Sequence, residues 1–131
     1  MKNKSIYQHK IRVYTEDVDY MGIVYHANYL CFFERARTEM LREKELLLSD
    51  LKKLNVLFAI NELAIQYRYP AKLVDLLNIN TEIKDLTRCS FVFDQQMHNQ
   101  DEQLISEARI KVVCVNSELK PKRIPLILSE H

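Results

Sequence analysis

From Ala27 to Lys44 the chain carries one unbroken helical period. Tyr29, Phe33, Ala36 and Met40 recur at i, i+4, i+7 and i+11, with Leu30 and Leu41 widening the apolar face. No Gly or Pro interrupts the run, and Arg35 and Glu39 are spaced to pair on its surface. A shorter helical piece, about Leu46 to Leu54, follows, with Ser49 or Asp50 as its cap and Asn55 as its end. Beyond it the period becomes two. Leu63, Ile65, Tyr67 and Tyr69 alternate with Ala64, Gln66 and Arg68 until Pro70. Leu77 to Lys84, Phe91 to Gln96 and Ala108 to Val115 alternate in the same way, with a turn at Asn99-Gln100-Asp101. One more strand, residues 6–15, precedes the helix. A single long helix among strands with one apolar and one polar face predicts an α+β fold, the helix lying on one face of a curved antiparallel sheet. Val113 and Val115 place apolar residues on the polar face of the last strand, a mark of subunit contact.

At 131 residues the chain is one domain, 1–131, long enough to bury a core. Its net charge of +1 offers no basic field for nucleic acid. The N-terminus has no signal-like apolar run, and no stretch approaches the roughly 18 apolar residues of a membrane span, so a cytoplasmic protein is expected. Cys31, Cys89 and Cys114 lie far apart without a C-x-x-C, which speaks for packed, reduced thiols. The one glycine, Gly22, excludes much. A nucleophile elbow, a Walker loop and a dinucleotide fingerprint each need at least two glycines.

Chemistry therefore concentrates between Val13 and the helix. Glu16, Asp17 and Asp19 form an acid cluster that ends the first strand; Gly22 permits a turn, and an aromatic and a histidine open the helix. The plainer reading is that these acids cap the helix and suit its positive end. The sharper one pairs a carboxylate, as general base or nucleophile, with the unpaired N–H groups of a helix start, which bind a developing oxyanion. That is the minimum for hydrolysing an activated acyl group. The Asp17-Val18-Asp19 pair also resembles that of the haloacid dehalogenase phosphatases. However, Met21 stands where those enzymes have Thr or Val, and the strands lack intervening helices. His9, His26, His98 and His131 show no metal-ligand spacing. Glu34, Arg35 and Arg37 read as a helix-surface or interface charge group and not as catalytic residues. Tyr67 and Tyr69 read as core.

The run Y-T-E-D-V-D-Y-M-G-I-V-Y-H-A-N-Y-L-C-F-F-E-R-A-R-T-E-M-L, Tyr14 to Leu41, resembles the hotdog-fold acyl-CoA thioesterases of the 4-hydroxybenzoyl-CoA thioesterase branch. It is most similar to the Tol–Pal-associated (YbgC-type) enzymes of Gram-negative bacteria. The likeness continues through Tyr67-Arg68-Tyr69-Pro70-Ala71, the strand near Ser90-Phe91-Val92-Phe93, and Glu107 to Val115. It implies a long central helix wrapped by a curved antiparallel β-sheet, and two subunits joined edge to edge, with dimers often pairing into tetramers. It implies hydrolysis of acyl-CoA, often short-chain, with no cofactor or metal. Asp19 would be the catalytic carboxylate, the oxyanion-binding N–H would fall near His26, whose side chain would also be catalytic, and Tyr25, Asn28 and Ser90 would be substrate-binding positions. The nucleotide end of coenzyme A needs cations, for which Lys72, Arg68 and Arg88 are the candidates, each also an ordinary solvated side chain. The alternative is a hotdog module acting mainly by binding acyl carrier protein, with little turnover. Thr15 stands where relatives often have Tyr, and Val74-Asp75 where they often have Gly-Asp.

Overall fold

In the computed structural model, which describes residues 6–129, the elements follow in the order β1 (Ile6–Arg12), α1 (Asn28–Glu43), α2 (Leu48–Lys53), β2 (Leu57–Tyr67), β3 (Leu76–Lys84), β4 (Ser90–His98) and β5 (Leu104–Val115). The five strands form one antiparallel sheet in the order β1-β3-β4-β5-β2. This is the hotdog arrangement, α1 lying on the sheet's inner face. β1 stops three residues short of the expected strand, because Thr15–Asp17 turn as a short 3-10 helix.

The inner face follows from the period-two pattern. Leu77, Ile79, Phe91, Phe93, Met97, Ile110, Val112 and Cys114 are buried and meet Tyr29, Phe32, Phe33, Ala36 and Met40 of α1. Fully burying one such side chain contributes about 1.5–3 kcal/mol. Three buried polar side chains, Gln95, Thr81 and Arg37, are linked in this core. Gln95, with no exposed surface, donates from Nε2 to the Phe33 carbonyl and to Thr81 Oγ1, both at 3.0 Å. Its Oε1 accepts a hydrogen bond from Arg37 Nη1 at 3.2 Å. Helix, β3 and β4 are thus tied by a buried amide, whose groups would be costly to leave unpaired.

Several sequence expectations need correction. Arg37 is not on the helix surface: it is buried, with its guanidinium 5.8 Å from the Phe93 ring centre. Glu39 pairs with Arg42 at 3.1 Å rather than with Arg35, which lies over the Phe32 ring instead. Neither Ser49 nor Asp50 caps α2, whose N-cap is Leu47 without a side-chain bond. Asn55 does end that segment, at φ +62°. Val115 is buried within the protomer, where it bridges Pro121 of the exit segment, so its apolar character needs no partner.

β2 begins six residues before its visible alternation, at Leu57. The reason is a bulge. Ile60 pairs with Val112, and Glu62 with Lys111, leaving Asn61 as the extra residue. The added residue keeps Phe58 and Ile60, like Leu63 and Ile65, opposite inward-facing residues of β5, but it hides the period from a pattern of strict alternation. β2 is also a sheet edge, and it is poorly covered: Ile60 is 53% and Leu63 42% exposed.

Candidate active site

The acid cluster is split by a tight hairpin. Val18 bridges Val24, the Asp19 N–H donates to the Ile23 carbonyl at 2.9 Å, and the Gly22 N–H donates to the Asp19 carbonyl at 3.0 Å. Gly22 has φ +81°, and a Cβ placed there meets nothing within 4 Å. The turn therefore requires glycine for its backbone conformation and not for space. Asp19 Oδ1 accepts the Met21 N–H at 2.8 Å, the local Asx turn that suits aspartate here. Asp19 is half-buried, and among the described residues nothing bonds its Oδ2.

Asp17 is placed differently. It is buried, Oδ2 accepting the Tyr14 N–H at 2.8 Å and Oδ1 accepting the Asn28 side-chain amide at 3.0 Å. Its own carbonyl accepts the Tyr25 N–H at 3.1 Å. So the acids do not cap α1 as the plainer reading held. The N-cap is Ala27, with no side-chain bond to it. Among the described residues, the backbone N–H groups of His26 and Ala27 donate no hydrogen bond. A helix start with unpaired donors is an anion site by geometry and by dipole.

A cavity of about 270 Å³ opens at this point, its wall including Ile23, Val24, His26, Tyr29, Tyr67 and Tyr69. The returning arm of the Asp19 hairpin thus forms part of the wall that His26 also lines. The segment Tyr67 to Ala71 closes the other side. Tyr67 Oη donates to the His26 carbonyl at 3.0 Å, the Ala71 N–H donates to Tyr29 Oη at 3.0 Å, and the Val24 N–H donates to the Ala71 carbonyl at 2.8 Å. The Tyr29 and Tyr67 rings meet edge to face at 5.1 Å. Burial pushes the Tyr29 phenol up from its ordinary pKa; the Ala71 N–H partly opposes this, while Tyr67 and the charges of Asp75 and Asp19 add to it. Its hydroxyl therefore stays protonated at neutral pH.

Tyr67 and Tyr69 are consequently not core residues; both are exposed at the cavity. Tyr29 and Tyr67 were missed as site residues because the helical period of the one and the strand alternation of the other assign them only to an apolar face. Of the expected substrate-binding positions, Tyr25 is exposed and its ring lies 4.5 Å from that of His26. Asn28 is engaged with Asp17. Ser90 lies elsewhere in the protomer. It pairs with Val113 at the far end of β4, whereas Met97 pairs with Ser106, the partner of Tyr67. Its hydroxyl sits 2.6 Å from that of Thr87, on the rim of an outer-face concavity with Arg109 and Lys111. Of the candidate cations, Arg68 is held by Glu107 at 2.8 Å, while Lys72 and Arg88 are exposed.

The fold and the matching family define the class, that of the hotdog thioesterases. Residues 13–130 match the thioesterase-like superfamily. The chain is 41% identical over 124 residues to the acyl-CoA thioester hydrolase YbgC of Escherichia coli O6:H1, covering 94% of this chain and 92% of that protein. It is 41% identical to the acyl-CoA thioesterase YbgC of Haemophilus influenzae, covering 88% and 85%. The crystal structure of a probable thioesterase from Bartonella henselae superposes with a TM-score of 0.84 at 33% identity, covering 92% of this chain and 99% of that one. The chain belongs to the thioesterase-like superfamily. Among the described residues no helix is long and apolar enough to cross a membrane.

Proposed function

We propose that this protein hydrolyses short-chain acyl-CoA thioesters and works as a homodimer. The observation that carries the reading is Asp19, with one carboxylate oxygen unengaged, on a hairpin that leads directly into the unpaired amides of His26 and Ala27. The thioester carbonyl oxygen would lie against those amides, which stabilise the negative charge as it develops. Asp19 takes the proton from an attacking water, or attacks the carbonyl carbon itself to give an anhydride that water then opens. In either route the C–S bond breaks with its electron pair on sulfur. The products are the free acid and coenzyme A, whose thiolate leaves without strong acid assistance. Tyr67 supports this arrangement by holding the His26 carbonyl.

The dimer reading rests on β2. An 11-residue edge strand with exposed Ile60 and Leu63 is a template for pairing. Two copies pairing antiparallel along it would bring the start of one β2 beside the end of the other. Light scattering measures that assembly directly. The activity test is thiol release from short, long and aromatic acyl-CoA esters by wild type and Asp19→Asn. Release by wild type, with a large loss in Asp19→Asn, is expected. No release from any ester, or full activity in Asp19→Asn, overturns the reading.

A further inference from the structure

A second cavity, about 330 Å³, lies between α1, α2 and the first half of β2. That is at the lower end of the range for small-molecule sites, roughly 300–1,000 Å³. Its walls are apolar, with Leu41, Phe58, Phe93 and Val112, yet Arg37 lines it as well. Arg37 is only 9% exposed, and its one hydrogen bond to a described residue is Nη1 to Gln95. None of the ion pairs among the described residues includes it. Burial lowers its pKa, and the charge of Glu34 only partly opposes this. Glu34 is the cavity's one acid; it is exposed, and it is bonded to Thr38 Oγ1 at 2.8 Å. Lys52 adds a second cation, so the lining carries a net positive charge. A guanidinium has five donors in a planar fork that fits a carboxylate. Here it is desolvated, and no carboxylate of the described residues lies within ion-pair distance of it.

Within one protomer, this cavity and the Asp19 hairpin are far apart. Nine residues of helix separate Asn28 from Arg37, about 13 Å along the axis. Across the β2–β2 dimer proposed above they would be neighbours. β2 starts at the Arg37 cavity, with Leu57 and Phe58, and ends at the cavity beside His26, with Tyr67. Antiparallel pairing about a two-fold axis sets one end against the other. From this juxtaposition, and resting on the thioesterase reading above, we infer that the acyl group enters the partner's apolar cavity and that Arg37 there binds a carboxylate at its far end. The substrate class is ω-carboxyacyl-CoA, and Arg37 is a specificity-determining residue.

The test compares hydrolysis of adipoyl- and suberoyl-CoA with hexanoyl- and octanoyl-CoA, which match them in carbon number. Wild type is expected to show a kcat/KM about 10- to 100-fold higher for at least one dicarboxylic ester, the value of a hydrogen bond to a charged group. Arg37→Met should abolish the preference and Arg37→Lys should retain part of it. The ratio within one sample does not depend on how much of it is folded, and the wild-type ratio stands alone if Arg37→Met does not fold. A wild-type preference for the methyl-terminated esters at both lengths, or a ratio unchanged in Arg37→Met, overturns the inference. Asp19-dependent release from acetyl- or benzoyl-CoA in the same assay would then leave the thioesterase reading standing. No release from any ester removes both.

Discussion

Asp17 and Asp19 are two residues apart, have the same side chain and occupy opposite situations. Asp17 is buried, and each carboxylate oxygen already accepts a hydrogen bond, from the Tyr14 N–H and from Asn28. Asp19 is half-buried and shaped by its own turn, with one oxygen left over. The difference teaches that an acid cluster is not a functional unit. One carboxylate fastens the loop to the first residue of α1; its neighbour is presented by that loop. A carboxylate whose lone pairs are occupied is a poor base or nucleophile, whereas an unengaged oxygen held by a rigid hairpin is available for either role.

Substitutions along the hairpin separate these two jobs. The largest effect is expected for Asp19→Asn. The amide neither attacks nor takes a proton, so turnover should fall about 10²- to 10⁴-fold, the usual contribution of a general base. Its thermal midpoint should stay near wild type, because only the exposed Asx turn is altered. Asp17→Asn is next and reverses the pattern. It sets an amide donor against an existing donor, at a cost of about 1–3 kcal/mol. For a domain of this size that is a fall of about 4–10 °C in midpoint. Gly22→Ala keeps both acids but strains the turn at φ +81°, and about 1 kcal/mol should be lost. Activity should fall with it, since the same turn aims Asp19. Calorimetry and thiol-release assays on the three variants read both axes.

The smallest effect concerns a site just outside the hairpin. Val74 has φ +78°, a left-handed conformation that a β-branched residue resists. The chain holds it there with hydrogen bonds on both sides. Val74 N–H donates to the Val13 carbonyl at 3.0 Å, and its own carbonyl accepts from Arg12 Nη1 at 2.8 Å. Val74→Gly should relieve about 1–3 kcal/mol of strain. It should return about 0.5–1 kcal/mol of that through the greater freedom of glycine in the unfolded chain. A midpoint a few degrees higher, with turnover unaffected, is the expected outcome; a lower midpoint would show that the strain is not stored at this residue.

The parts legible in the sequence were those with an uninterrupted period. The helix was expected over residues 27–44 and runs from Asn28 to Glu43. The strands β3 and β4 lie where their alternation placed them. What alternation missed has specific physical causes. The bulge at Asn61 concealed the first half of β2. Arg37 reads as a surface charge because its environment comes from Phe93 and Gln95, more than fifty residues away. Which acid turns inward is decided by the Val18–Val24 bridge and the Asn28 side chain, neither of which has a sequence signature. The resemblance supplied Asp19 and His26 as residues; the structure puts Asp19 on the hairpin and His26 in the wall of the cavity that the hairpin's returning arm also lines. Ser90 lies at the far end of β4 within one protomer, a placement set by strand register and not by any local motif.

The most direct measurement of the division between the two acids is a paired one. Thiol release and thermal midpoint are recorded on the same preparations of wild type, Asp17→Asn and Asp19→Asn. The account predicts that Asp19→Asn loses turnover and keeps its midpoint, whereas Asp17→Asn loses midpoint and, below its unfolding transition, keeps most of its turnover. Full turnover in Asp19→Asn, or a loss of turnover in folded Asp17→Asn as deep as in Asp19→Asn, would contradict it.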